Sequence, residues 1–399
     1  MASTSSSSPS SSSSGEQVPT FALASQCRDN GTPFVIDGST MEGGGQVLRN
    51  GMGFAALQGI PIHINHIRAG RSKPGLRAQH LCGIELVSNM ARGHLTNASI
   101  NSTSITFVPG AIAAGRFDAD IGTAGATMLL VQIALPCALF APGQVALKLT
   151  GGTNAEMAPQ VDYTVQIFRP IAQRFGFALD LEIRRRGYFP RGGGEIALTV
   201  KPIKQLNAVT LTQRGTVTRI TGRAFVAGTL QRRLAEDMAA GANELIRKHF
   251  PGIPVDIAIV QEPRDIAAGN GSGILLVAHT SLNGCLIGAS ALGAAGQQPK
   301  ALGKEAATSL IANLQHGGCV DEHLQDQLII FMALAHGVSK IKTGPLTMHT
   351  ETAIHFARQL TSALFTVTPV PAAEKEFPEE TTFYIECVGS RHVNAGLFD

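Results

Sequence analysis

The sequence predicts an α/β (α+β) protein in which repeated sheet-plus-two-helix units form a large domain and a smaller α/β domain is inserted into it. Three observations carry this expectation. From Phe34 onward, short β-branched runs alternate with helical patterns across glycine-rich turns, the texture of packed sheet and helix layers. A strand, a polar Gly-rich turn and a helix recur in IDGSTMEGGGQVLRN, FDADIGTAGATMLLVQ and LTGGTNAEMAPQVDY, which suggests related units sharing one functional edge. Between about Asn207 and His316 the texture changes to a compact series of its own.

Residues 1–15 hold ten serines and no apolar segment, so they cannot bury enough surface to fold and do not form a secretory signal. A disordered Ser-rich tail is expected over 1–30. The large domain follows as 31–206 and 317–399, with 207–316 inserted. Its first part reads as the strands PFVIDG, PIHINHI, SITFVPG, QVALKLTGG and EIALTVKP, with helices near 45–57, 75–90, 125–139 and 158–175. The insert reads as the strand TRITGRAFVAG, a long helix over 230–248, the strands VDIAIV and GILLVAHT, and a helix over 300–314. Helices over 321–335 and 351–360 and the strand TFYIECV close the chain.

Composition bounds the function. The 399 residues carry 32 Lys+Arg against 29 Asp+Glu, a net charge of +3, which excludes a polyanion-coating or acidic-tail protein. With 44% hydrophobic residues there is apolar side chain for one or two cores of ordinary size. No Trp and only 3 Tyr exclude aromatic stacking as the main RNA-binding device. Six scattered cysteines without a C-x-x-C motif argue against a disulfide scaffold and a structural zinc site. The most apolar stretch, Met128 to Gly143, is interrupted by Gln132 and Pro136 and is too short for a membrane span. A soluble intracellular protein is expected.

Four segments could carry chemistry. In Glu42-Gly43-Gly44-Gly45-Gln46, with Arg49 one turn on, three glycines bare backbone N–H groups at a helix N-terminus whose dipole favours anions. Glu42 suits a divalent metal that shields phosphates; a tight turn with a capping acid is the plain alternative. Ile67 to His80 carries Arg68, Arg71, Lys73 and Arg77 with no acid, a density that suits bidentate phosphate contacts or a solvated basic face. Pro74-Gly75 places the first two arginines on a strand-end loop, and Arg77 with Gln79 on the next helix. Thr350 reads as the N-cap of the late helix, which sets His349 just ahead of its N-terminus. There the dipole keeps an imidazole neutral, as a nucleophile must be, and a structural histidine is the alternative. Asp321 to Gln327 opens a helix whose polar first turns face a cleft or simply cap it.

Together, EGGGQ-x-x-R, IRAGR-x-KPGL-x-x-QH, the GGT…AP segment, the Y-F-P-x-GGG run at Tyr188 to Gly194, the D-Q-L helix with M-A-L-A-x-G and the late His349 strongly resemble the RNA 3′-terminal phosphate cyclase family. The similarity runs from about Pro33 to the C-terminus in the family's order. It implies an ATP-dependent enzyme of the ligase class that turns an RNA 3′-phosphate into a 2′,3′-cyclic phosphodiester and releases AMP and pyrophosphate. The implied fold has three repeated units, each like the C-terminal domain of bacterial translation initiation factor three, with a smaller α/β domain inserted.

By the same resemblance, His349 is the nucleophile that holds AMP as a phosphoramidate, and Glu42 is the carboxylate for Mg²⁺ or Mn²⁺ and for ATP. Gln46, Arg49, Arg68, Arg71 and Gln79 match phosphate and RNA-end contacts. Gln132, Pro159, Asp326 and Gln327 match nucleotide-site positions, with adenine packing on Pro159. His323 stands where bacterial members carry Tyr on the other face of the adenine, a ring that stacks more weakly. RNA 3′-phosphate ends are the implied partner, with no membrane and no stable protein partner; resemblance to eukaryotic members points to the nucleus. Two competing readings are a non-catalytic cyclase-like ribosome-assembly protein, disfavoured by the presence of His349 and the arginines, and an enolpyruvyl-transferase-like enzyme, in which EGGGQ and the late histidine have no role.

Overall fold

The computed structural model describes residues 20–397. Of the tail expected over 1–30, residues 1–19 lie outside the described residues. Residues 20–30 correct the expectation, for they form helix α1 (Thr20–Asn30). Phe21 and the fully buried Ala24 join the main core and supply the apolar anchor that the serines lack.

Three units repeat one strand order. The first comprises β1 (Phe34–Asp37), α2 (Gly45–Gln58), β2 (Ile62–Asn65), α3 (Ala78–Met90), β3 (His94–Thr96) and β4 (Ile105–Val108), in a sheet of order β1-β2-β4-β3. The second comprises β5 (Gly115–Asp120), α4 (Thr127–Leu139), β6 (Val145–Gly151), a helical stretch, β7 (Leu179–Gly187) and β8 (Gly194–Val200). That stretch is α5 (Val161–Tyr163), a π-helical turn (Thr164–Phe168), α6 (Arg169–Ala172) and a 3₁₀ turn (Gln173–Phe175). The third unit opens with β9 (Thr210–Leu211) and is then interrupted.

The interruption holds β10 (Val217–Ala227), α7 (Arg232–His249), β11 (Val255–Gln261), β12 (Ala267–Ala268), β13 (Gly271–Thr280), β14 (Leu286–Leu292) and α8 (Pro299–Gln315). The third unit resumes with α9 (Leu324–Leu334), β15 (Val338–Thr343), α10 (Met348–Leu360), β16 (Leu364–Pro369) and β17 (Phe383–Val388), in a sheet of order β16-β17-β15-β9. In every unit the first strand pairs parallel with the second, and the remaining pairs are antiparallel. Because β9 pairs with β15 and Asn207 bridges His336, residues 207–211 belong to the third unit, and the interruption begins after Leu211.

The helices of the three units share one core, while the inserted sheet, of order β11-β10-β13-β14, buries a second core under α7 and α8. The most apolar segment is α4, packed against α2, α3 and α9 and buried on every side except at Gln132. No helix of the described residues is long and apolar enough to cross a membrane.

Candidate active site

Three helix N-termini meet at one corner. Gln46 lies in the first turn of α2, Asp326 in that of α9 and His349 in that of α10. Three positive dipole ends therefore face one space, an arrangement that favours anions. The N-cap of α10 is Thr347, whose Oγ1 accepts the Thr350 N–H at 3.2 Å, so His349 is inside the first turn rather than ahead of it. This corrects the expected Thr350 cap: Thr350 is fully buried and bonds Gln325 Oε1 instead, at 2.8 Å.

Gln46, only 3% exposed, fixes the histidine. Its Nε2 donates to Asp326 Oδ2 and to the His349 carbonyl, both at 3.0 Å, which leaves Oε1 facing His349 Nδ1 in a short contact. An amide oxygen can only accept, so Nδ1 carries a proton, and in the neutral ring the lone pair is on Nε2. His349 itself is exposed. Burial pushes the Asp326 carboxyl above its ordinary pKa, against the pull of His349, Arg49 and His323.

Glu42 shows the fit to a cation. Its Oε1 pairs with Arg71, and its N–H reaches Thr352 Oγ1 at 3.3 Å, but Oε2 is buried with no hydrogen-bond partner. Such a carboxylate oxygen suits a hard divalent ion. Among the described residues no three His, Cys, Asp or Glu side chains cluster around a metal position. One protein carboxylate plus nucleotide phosphates is a usual ligand set for Mg²⁺. A Cβ on Gly44 would displace this carboxylate.

Arg49 is half-buried and makes no ion pair among the described residues; burial lowers its pKa, opposed by Asp326 and Glu42. Arg68 Nη1 donates to the carbonyls of Lys73 and Gly75, at 2.9 and 3.0 Å, and so shapes its own loop. Gln79 Oε1 accepts the Ala126 N–H at 3.2 Å and ties α3 to the start of α4. Gln132 and Gln327 line one cavity with Gln46, Arg49 and Asp326.

Pro159 is half-buried in the loop after β6, and His323, whose side chain is 55% exposed, precedes α9 edge-on to Tyr163 at 6.2 Å. No hydrogen bond or ring contact among the described residues joins Pro159 to His323. Asp321 is fully buried and accepts from Tyr163 Oη at 2.6 Å, Gly288 N at 2.8 Å, His323 N at 3.0 Å and Leu324 N at 2.9 Å, and so satisfies N–H groups at the start of α9.

One residue at the corner had no assigned role in the sequence reading. His80 Nδ1 accepts the Arg77 N–H at 3.1 Å, so Nε2 carries the proton. A Cβ on Gly45 would sit 2.7 Å from that Nε2 and 3.1 Å from Arg49 Nη1. Burial, then the charges of Arg68, Arg49 and Arg77, push its pKa down to about 3, which keeps His80 a neutral donor near neutral pH. Only its place in the QH pair marked it in the sequence.

The model of the RNA 3'-terminal phosphate cyclase family matches residues 40–367. Relatives named RNA 3'-terminal phosphate cyclase include one from Hyperthermus butylicus, 39% identical over 86% of this chain and 94% of its own, and one from Drosophila melanogaster, 37% identical over 90% and 97%. A probable RNA 3'-terminal phosphate cyclase from Dictyostelium discoideum is 41% identical over 95% of this chain and 88% of its own length. With the repeated strand order and the convergence of helix N-termini around His349, these matches place the chain in the RNA 3′-terminal phosphate cyclase family.

Proposed function

We propose that the chain uses ATP to convert an RNA 3′-phosphate into a 2′,3′-cyclic phosphodiester, with His349 as the adenylated nucleophile. The observation that carries the reading is the Gln46 clamp: it holds the proton on Nδ1 and leaves an exposed Nε2 lone pair where three helix N-termini converge. Nε2 attacks the α-phosphorus of ATP, a P–N bond forms, and pyrophosphate leaves. A 3′-phosphate oxygen of the RNA then takes the adenylate, breaking the P–N bond. The neighbouring 2′-OH attacks the 3′-phosphorus, loses its proton and expels AMP, a closure that positioning accelerates because it is intramolecular.

Glu42 would hold Mg²⁺ or Mn²⁺, which shields the triphosphate charge. Arg49 and His80 offer donors without protein acceptors, and Arg68, Arg71, Gln46 and Gln79 surround the same space for the RNA end. Gln132, Pro159, His323, Asp326 and Gln327 form the nucleotide side. Resemblance to eukaryotic members extends the proposal to a nuclear location. The test is incubation with α-labelled ATP and Mg²⁺ or Mn²⁺ without RNA: acid-labile, alkali-stable label on the protein supports the reading, and unlabelled protein sinks it.

A further inference from the structure

The tip of the β7–β8 hairpin, Tyr188 to Gly194, takes no part in the chemistry above, yet it carries Phe189, whose side chain is 80% exposed. A single exposed apolar residue is ordinary on a protein surface and would need no explanation by itself. Its setting is what distinguishes it. Tyr188 beside it is buried and stacks on Phe225 at 5.8 Å, so the tip is held from below. Gly192, at φ +65°, lies so close to the turn before α4 that a Cβ would be 2.5 Å from Thr123 O.

That same turn contacts the corner. Ala126 N–H bonds Gln79 Oε1, and a Cβ on Gly125 would lie 3.1 Å from Gln79 Cβ. Gln79 adjoins His80, whose free Nε2–H and the unpaired Arg49 face Gly45. The tip is therefore held one turn of chain away from the phosphate-binding donors. It also carries Arg191, exposed and without an ion pair among the described residues.

We infer that Phe189 is a stacking platform for a base of the RNA strand just upstream of the 3′-phosphate, with Arg191 meeting the adjoining backbone phosphate. The inference rests on the proposed function above, because the strand must leave the corner that holds its end. Charge favours RNA over an apolar protein segment: an unpaired guanidinium on the tip continues the arginines of the corner. Every base has a π-face, so one platform adds affinity without sequence preference. This suits an enzyme that reads an end rather than a sequence.

The experiment compares a short 3′-phosphorylated oligonucleotide with a nucleoside 3′-phosphate as cyclisation substrates. Phe189→Ala should raise KM for the oligonucleotide about tenfold with kcat held, and leave KM for the nucleoside substrate unchanged. Phe189→Trp should restore the oligonucleotide KM. Arg191→Ala should flatten the salt dependence of that KM. Equal changes for both substrates, or none for the oligonucleotide, would overturn the inference; the second outcome would leave the exposed Phe to a protein partner. If the wild type adenylates and cyclises nothing, the wider reading has failed instead. Fluorescence anisotropy of the same oligonucleotide without ATP still decides the role of Phe189, since equal Kd for wild type and the Ala variant removes it.

Discussion

At the seam between the second unit and the insert, Arg186 grips Asp162 through two bonds of 2.7 and 2.8 Å and reaches Glu262 at 2.8 Å, while Arg223 pairs with the same Glu262. At the corner around His349 the residue types are the same, but the matching is incomplete. Arg71 takes one Glu42 oxygen, and Glu42 Oε2, the Arg49 guanidinium and His80 Nε2 are left without protein partners. Two cations against two anions make the seam electrically self-sufficient. Burial alone would raise the Asp162 pKa, and Arg186 with Arg223 more than offsets it, so the carboxylate stays charged. The neutral Tyr188 hydroxyl and Gln160 Nε2 are also buried there without partners, as is Arg223 Nη1, but that nitrogen lies 3.7 Å from Asp162 Oδ2, so its charge is still matched. Charge density alone therefore does not mark a binding site; unmatched charge does, because it is stabilised only when a ligand arrives.

The sharpest break of the comparison is at His349. His349→Ala should abolish protein adenylation and cyclisation while the far-UV spectrum and melting temperature hold, since an exposed side chain in a first helical turn contributes little packing. His349→Asn is the stricter control. Labelled AMP on either variant would remove the histidine from its role.

The seam should behave oppositely. Arg186→Ala leaves Asp162 and Glu262 buried with too few partners and should cost about 3 to 5 kcal/mol of unfolding free energy. Adenylation per folded molecule should stay near wild type. A stable Arg186→Ala protein that had lost adenylation would mean the seam belongs to the site.

Within the corner, Arg68→Ala should remove roughly 1.5 to 3 kcal/mol per lost charged hydrogen bond to the RNA phosphate, a fall in cyclisation of about ten- to a hundredfold. Adenylation without RNA should suffer less. Arg71→Ala should depress both steps, because Arg71 also orients Glu42, and Glu42→Ala should depress adenylation directly. Measuring adenylation without RNA beside cyclisation of a 3′-phosphate oligonucleotide separates these outcomes. Equal losses in both assays for Arg68→Ala would overturn the division.

The smallest effect concerns His80. Its folded pKa of about 3 lies below the ordinary 6.5, so the unfolded chain takes up the proton first as pH falls. The stabilising contribution of the neutral ring is complete above pH 6.5 and drains away towards pH 3, reaching a loss of about 2 kcal/mol at pH 5. The arginines facing it, Arg49, Arg68 and Arg77, keep their charge over this range. His80→Gln should flatten the stability-against-pH curve by about that amount, and parallel wild-type and variant curves would show that His80 titrates in the fold as it does in the unfolded chain.

Much of this was legible in local pattern. EGGGQ could only be a bare-backbone turn into a helix, and α4, the insert helices and the central strands follow from periodicity and from Gly and Pro punctuation. Local reading failed where a distant partner decides. Thr347 and Thr350 are equally good caps by type, and the choice is made by Gln325, which takes the Thr350 hydroxyl. The two residues of β9 carry no periodicity, and only β15 shows where they belong.

The sequence by itself therefore determined the elements, the glycine turns and the chemical inventory of the corner, since these depend on neighbours along the chain. Only the tertiary structure decided which lone pair His349 presents, which Glu42 oxygen stays unpaired and which charges cancel at the seam. Gln46 lies 280 residues from Asp326 and 303 from His349, and a proton's place on an imidazole is set by whichever acceptor the fold brings to it.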